Sequence, residues 1–112
     1  MLRIGWSSID ITPDKPVQLW GQFHERISQY VHDPVIATAL AVETEEDQAV
    51  MVACDLVGIS REVLEKVRDL IAPRLAGFDG RKLLISGTHT HTAPGLYEGW
   101  YPPAGVGVIS PT

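Results

Sequence analysis

The spacing of apolar positions along this chain predicts four strands and one helix. Residues Leu2 to Ile9 hold enough β-forming side chains for a short strand. That strand stops at Asp10-Ile11-Thr12-Pro13-Asp14-Lys15-Pro16, where two prolines forbid regular structure. Val35 to Glu43 and Gln48 to Cys54 are two apolar runs joined by an acidic turn, the pattern of a β-hairpin. Within the second run, Ala49-Val50-Met51-Val52-Ala53-Cys54 is apolar on both faces, as in strands covered on both sides by other layers. From Ser60 the period lengthens. Val63, Leu64, Val67, Leu70 and Ile71 form one stripe at helical spacing, with Ser60 as the N-cap, Pro73 as terminator and Gly77 to Gly80 as the exit turn. A last apolar strand covers Lys82 to Ser86.

These elements predict an α/β fold: a mixed sheet in which a β-hairpin is followed by a βαβ unit with parallel strands and a right-handed crossover. Both strands of that unit finish at one edge of the sheet. Asp55 and the segment from Thr88 to His91 therefore emerge side by side, at the carboxyl edge where open α/β sheets bind ligands. The stretch from Val17 to Asp33 has no regular pattern. Unstructured connections this long are usually functional or disordered, and Trp20 and Tyr30 make this one too aromatic for disorder.

Composition narrows the function classes. A chain of 112 residues is one small domain by default, and a net charge of −5 argues against a nucleic-acid partner. Much of the acidity is local, at Glu43, Glu45, Glu46 and Asp47, where it solubilises a turn. Cys54 is the only cysteine, so neither an intrachain disulfide nor a thiolate zinc cluster can form. Met1 to Trp6 lacks the apolar core of a signal peptide, and no run reaches the ~20 apolar residues of a membrane span. The expectation is a soluble, cytoplasmic protein. The closing residues Gly105 to Thr112 carry no helix cap or polar tail, and Ser110-Pro111-Thr112 reads as the start of a further helix. Residues 1–112 are accordingly expected to be the N-terminal portion of a larger layered α/β domain, truncated at the C-terminus. Strand edges left exposed by such a truncation would favour a homo-oligomer.

The sharpest chemical signal is His89 and His91. In an extended backbone, residues two apart point to one face, so both imidazoles could meet one ion or substrate. Thr88, Thr90 and Thr92 offer hydroxyls to orient the rings, and Pro94-Gly95 turns the chain directly afterwards. Two surface histidines in a polar loop are the plain alternative. Asp55 ends an apolar strand, where a carboxylate must be paired or solvated; ligating a metal, orienting a histidine and capping the next turn are all open to it. His24, His32 and Arg26 lie in the long loop. The arginine suits a substrate carboxylate or phosphate, or a salt bridge. Tyr97, Trp100 and Tyr101 would wall a pocket or form a satellite apolar cluster. No phosphate-cradling glycine loop, Ser-His-Asp pattern or zincin helix is visible.

Asp10-Ile11-Thr12-Pro13, Asp33-Pro34 before the strand from Val35 to Val42, the strand ending at Asp55, and Ile85-Ser86-Gly87-Thr88-His89-Thr90-His91 occur in an order that resembles the N-terminal region of the neutral/alkaline non-lysosomal ceramidase family. The resemblance implies a zinc-dependent amidase that cleaves the N-acyl bond of a lipid-like amide. It implies His89 as a zinc ligand and His91 beside the metal, helping to hold substrate. The other ligands of the family, and its catalytic serine, lie downstream of this stretch. The chain departs from the family at Thr92-Ala93-Pro94-Gly95-Leu96 and at Gln18-Leu19-Trp20-Gly21-Gln22-Phe23. Those departures imply a shorter, bacterial-type relative with its own substrate.

The sequence thus leads to part of a zinc-dependent amide hydrolase that is inactive alone. His89 would bind metal, His91 and Asp55 would be catalytic, and Arg26, His24 and Tyr97 would contact the small-molecule or lipid-like substrate. Two alternatives stand beside it. One is a metal-dependent esterase, lactonase or phosphoesterase; the other is a non-catalytic relative that binds a ligand or partner.

Overall fold

The structure, a computed structural model, describes residues 1–111. Thr112, with which the sequence reading begins a further helix, lies outside them. Strands β1 (Arg3–Asp10), β4 (Ile36–Glu43), β5 (Gln48–Cys54) and β6 (Leu83–Gly87) form one mixed sheet in the order β1-β4-β5-β6. Strands β2 (Gln18–Leu19) and β3 (Arg26–Ile27) form a separate two-residue ladder inside the long loop. The helix α1 (Arg61–Ile71) and a short 3-10 turn (Gly80–Lys82) connect β5 to β6. The expected mixed α/β fold is present, hairpin and βαβ unit included.

The hairpin follows from its turn. Thr44 donates its backbone N–H to the Asp47 carbonyl at 2.8 Å, and its hydroxyl accepts from the amides of Glu46 and Asp47. That self-contained turn sets the register Glu43↔Gln48 through Ala37↔Cys54. The helix begins at Ser60, which is 3% exposed and whose hydroxyl accepts the Val63 amide at 3.3 Å. This satisfies one of the donors a helix N-terminus leaves free. Val63, Leu64, Val67 and Ile71 are half-buried, while Leu70 stays exposed. Arg68 ties the helix to the start of β6, donating to the carbonyls of Gly80 (2.8 Å) and Leu83 (3.3 Å). As expected, β5 and β6 pair in parallel, from Val50↔Leu83 to Cys54↔Gly87.

The small core sits at the carboxyl end of β5. Cys54, Leu56 and Ala93 are buried together, with Val35, Ala37, Val52, Ile59, Ile85 and Leu96 packed around them. The sequence pattern of β5 implied cover on both faces, and here the structure differs. The register sets Trp6, Leu40, Met51 and Leu84 in one row across the sheet. Trp6 is 75% exposed and Leu84 62%, so this apolar face is wet among the described residues. The apolar run is thus uncovered on this face among the described residues. The radius of gyration agrees: it is 16.0 Å, against about 13 Å for a compact domain of this length.

Candidate functional site

Three parallel-running strands, β1, β5 and β6, finish at the same edge of the sheet, and β4 starts there. The Asp10-Ile11-Thr12-Pro13 motif closes this edge. Asp10 accepts the Thr12 amide at 2.8 Å, Thr12 accepts the Val35 amide at 2.8 Å, and Ile11 donates to the Val35 carbonyl. The Thr12 hydrogen bonds hold the exposed Asp10 carboxyl below the usual carboxylate range. Asp55 continues the closure one residue on. Its amide donates to the Ile36 carbonyl, one carboxylate oxygen accepts the Ile36 amide at 3.1 Å, and the other accepts the Thr88 hydroxyl at 3.2 Å. Asp55 is thus both the pin between β4 and β5 and the anchor of the threonine that precedes His89. Neighbouring Cys54 is buried, and burial, with the charge of Asp55, pushes its thiol pKa up, so it is not a thiolate nucleophile.

After β6 the chain crosses the loop that follows β5. Thr88 donates to the Cys54 carbonyl (2.8 Å) and His89 to the Leu56 carbonyl (3.0 Å). Gly87 sits at this crossing because a side chain there would meet the Leu56 carbonyl and the Gly58 backbone. His89 then takes φ = 69°, in the left-handed region that histidine enters more readily than most residues. This corrects the reasoning from an extended backbone. The two imidazoles do come together, edge-to-face with centroids 4.8 Å apart, but through a kink rather than by strand alternation.

The orienting partners also differ from the expected threonines. Thr90 and Thr92 hydrogen-bond to each other at 3.2 Å. His89 is oriented by a main-chain group instead: its Nδ1 lies 2.8 Å from the Val57 carbonyl. A carbonyl can only accept, so Nδ1 carries a proton, and in the neutral ring the lone pair lies on Nε2. His91 is held by a different device. Gly21 has φ = 116°, and any Cβ there would fall within the His91 ring. The glycine in the aromatic loop sequence Leu19-Trp20-Gly21 was the available signal for such close approach; no sequence signal marks the Val57 carbonyl.

The remaining candidates separate. Trp20 is 6% exposed, donates its amide to the Ala93 carbonyl (3.0 Å) and lays its indole on Gly95, where a Cβ has no room. Tyr97, Trp100 and Tyr101 gather on that indole, with ring centroids 5.6, 6.0 and 5.6 Å away. The aromatic segment is thus packed as a satellite cluster, and Tyr97 spends its hydroxyl on the Ile59 carbonyl at 2.9 Å. Arg26 points its guanidinium at the carbonyls of Trp20 and His91. His24 is exposed on the loop between β2 and β3, and His32 pairs with Asp33 at the surface, 2.9 Å apart. A cavity of about 580 Å³ opens beside Arg26, with Tyr30, Val35, Thr92 and Pro94 in its walls. Among the described residues, no three metal-binding side chains converge. The histidine pair offers two adjacent imidazoles, one of them anchored on a main-chain carbonyl.

No protein-family model and no curated protein matches the chain. Solved structures do. Neutral ceramidase from Pseudomonas aeruginosa matches with a TM-score of 0.77 and 27% sequence identity, covering 85% of this chain and 16% of that one. A structure of ceramidase complexed with C2 matches with a TM-score of 0.74 and 27% identity, again over 85% of this chain and 16% of that one. The chain spans about one-sixth of the structures it matches. Over this span the mixed sheet and helix of the chain are similar in fold to part of the neutral ceramidase structure.

Proposed function

We propose that the chain is the N-terminal portion of a zinc-dependent hydrolase domain, cleaving an amide, and that it contributes one wall of the metal site. The observation that carries this reading is the His89 geometry. Its Nδ1 proton is committed to the Val57 carbonyl, which leaves Nε2 as a lone-pair donor at the carboxyl edge of the sheet. His91 stands against it at 4.8 Å, on the side closed by Gly21. In this reading His89 ligates through Nε2 and His91 contacts the substrate. Asp55 acts through Thr88, keeping the strand exit in register with the loop that carries Val57.

The chemistry zinc supplies in such sites is polarisation of a carbonyl and a lowered pKa for a bound water. A catalytic zinc commonly takes three protein ligands. Fewer converge among the described residues, so in this reading the rest of the set is supplied from outside them, by sequence that would also cover the Trp6–Leu84 face. The ceramidase likeness supports a hydrolase; an amide as the bond follows from the resemblance alone.

The test is a zinc titration of the 112-residue chain, followed through the imidazole ¹H–¹⁵N signals of its four histidines. His89 and His91 should respond at weak affinity while His24 and His32 stay still, and His89→Asn should abolish the response. Tight one-to-one binding would contradict an incomplete site. A His89 signal indifferent to zinc would remove the metal reading altogether.

A further inference from the structure

Arg26 has the side chain of an anion-binding residue, yet its guanidinium is directed at main-chain carbonyls. Its position is set by the β2–β3 ladder, in which it pairs with Leu19, so its backbone lies one residue from Trp20 across the turn. From there one terminal guanidinium nitrogen donates to both the Trp20 carbonyl, at 3.1 Å, and the His91 carbonyl. The two protons of that nitrogen are thereby used. The Nε of the same side chain is sealed from solvent with no partner. A substrate carboxylate or phosphate is best gripped by two parallel N–H donors. Here the edge that joins Nε to that nitrogen is closed.

The two carbonyls belong to the two segments that make the niche of His91. Trp20 precedes Gly21, whose bare α-carbon receives the His91 ring, and His91 is itself the second segment. The amide of Trp20 to the Ala93 carbonyl is the neighbouring tie between the same segments. Hydrogen bonds from a charged donor are stronger than neutral ones, so the guanidinium is the firmest of these ties.

We infer that Arg26 is the positioning residue of the site: by bridging the Trp20 and His91 carbonyls it sets the His91 imidazole between Gly21 and His89, and it does not hold the substrate. The inference rests on the metal-site reading for its purpose, but the clamp itself is a property of the metal-free chain.

The experiment compares Arg26→Met and Arg26→Lys with the parent chain, using imidazole ¹H–¹⁵N spectra without metal and then zinc titration. Circular dichroism reports whether each variant is folded. In Arg26→Met the His91 ring signals should shift, with His24 and His32 as unmoved internal references. Zinc affinity, carried by His89 on the Val57 carbonyl, should stay close to the parent's. Arg26→Lys, whose ammonium can reach a carbonyl but not fork, should give an intermediate His91 shift.

A folded Arg26→Met chain with His91 signals like the parent's would overturn the assignment. So would failure of both variants to fold, since Arg26 would then be a structural residue alone. If zinc moves no histidine in the parent, the metal-site reading fails, while the metal-free His91 shift still decides the clamp. Should Arg26→Met alone unfold, the Arg26→Lys spectrum decides: an unshifted His91 there rejects the clamp.

Discussion

The two ends of the β4–β5 hairpin are built on opposite principles. At one end, Thr44 to Asp47 close a turn on themselves, and the surrounding charges pair in the open: Arg3 with Glu43 at 2.7 Å, and Lys82 with Asp47. Pairs of this kind contribute little, because water screens them and long side chains must be ordered to form them. At the other end, the segments after β5 and β6 cross each other through main-chain hydrogen bonds. Around that crossing, glycines receive rings: Gly95 under Trp20, Gly21 against His91. The first end tolerates change because nothing packs on it. The second fixes the positions of Nε2 of His89 and the ring of His91 because almost everything there is in contact. One sheet thus carries a solvated end and a packed end that holds geometry.

That contrast can be broken by substitution. Gly95→Ala is the most severe test, because the new methyl group collides with the buried Trp20 indole. A loss of about 3 kcal/mol in unfolding free energy is expected, the upper part of the usual overpacking range. Urea unfolding measures it, and tolerance of the alanine would erase the distinction between the ends. Gly21→Ala combines a left-handed backbone with the His91 ring and should cost about 2 kcal/mol. It should also displace the His91 imidazole signals, which Gly95→Ala need not do. Ser60→Ala removes the buried helix cap beside the packed end, for about 1 kcal/mol in the same assay.

The smallest effects belong to exposed charges. Hydrogen bonds from Arg81 hold the pKa of the Asp79 carboxyl down to about 2, from an ordinary value of 3.8. A depressed acid stabilises the fold above its unfolded pKa, and that contribution disappears as pH falls through the folded value. Asp79→Asn should therefore leave the thermal midpoint unchanged relative to the parent below about pH 2 and lower it slightly at neutral pH. A large effect at neutral pH would mean that a surface ion pair carries more weight than this comparison allows.

How much of this was legible in the sequence follows the same division. The hairpin could be read because Glu43 to Asp47 interrupts two apolar runs, and the helix because Ser60 precedes a stripe at helical spacing. Parallel pairing of β5 and β6 placed Asp55 and Thr88 together, and they are hydrogen-bonded. These are local patterns or direct consequences of chain direction. What could not be read is long-range and mostly main-chain. No residue type announces that the Val57 carbonyl orients His89, or that Arg26 reaches across 65 residues to a backbone oxygen. The two-residue ladder of β2 and β3 is too short for any period to show. Even the correct expectation that the histidines meet rested on an extended backbone, whereas the φ of 69° at His89 achieves it differently.

That left-handed φ also sets what evolution can do with the position. Glycine enters this region freely, and asparagine and aspartate more readily than other residues, while β-branched and bulky side chains are strained there. A relative that has abandoned the site yet kept the strand exit should therefore carry glycine or asparagine at position 89, not valine or leucine. The kink would outlive the imidazole. A small residue between Thr88 and Thr90 would then be the fossil by which a lapsed hydrolase is told from a chain that never had the site.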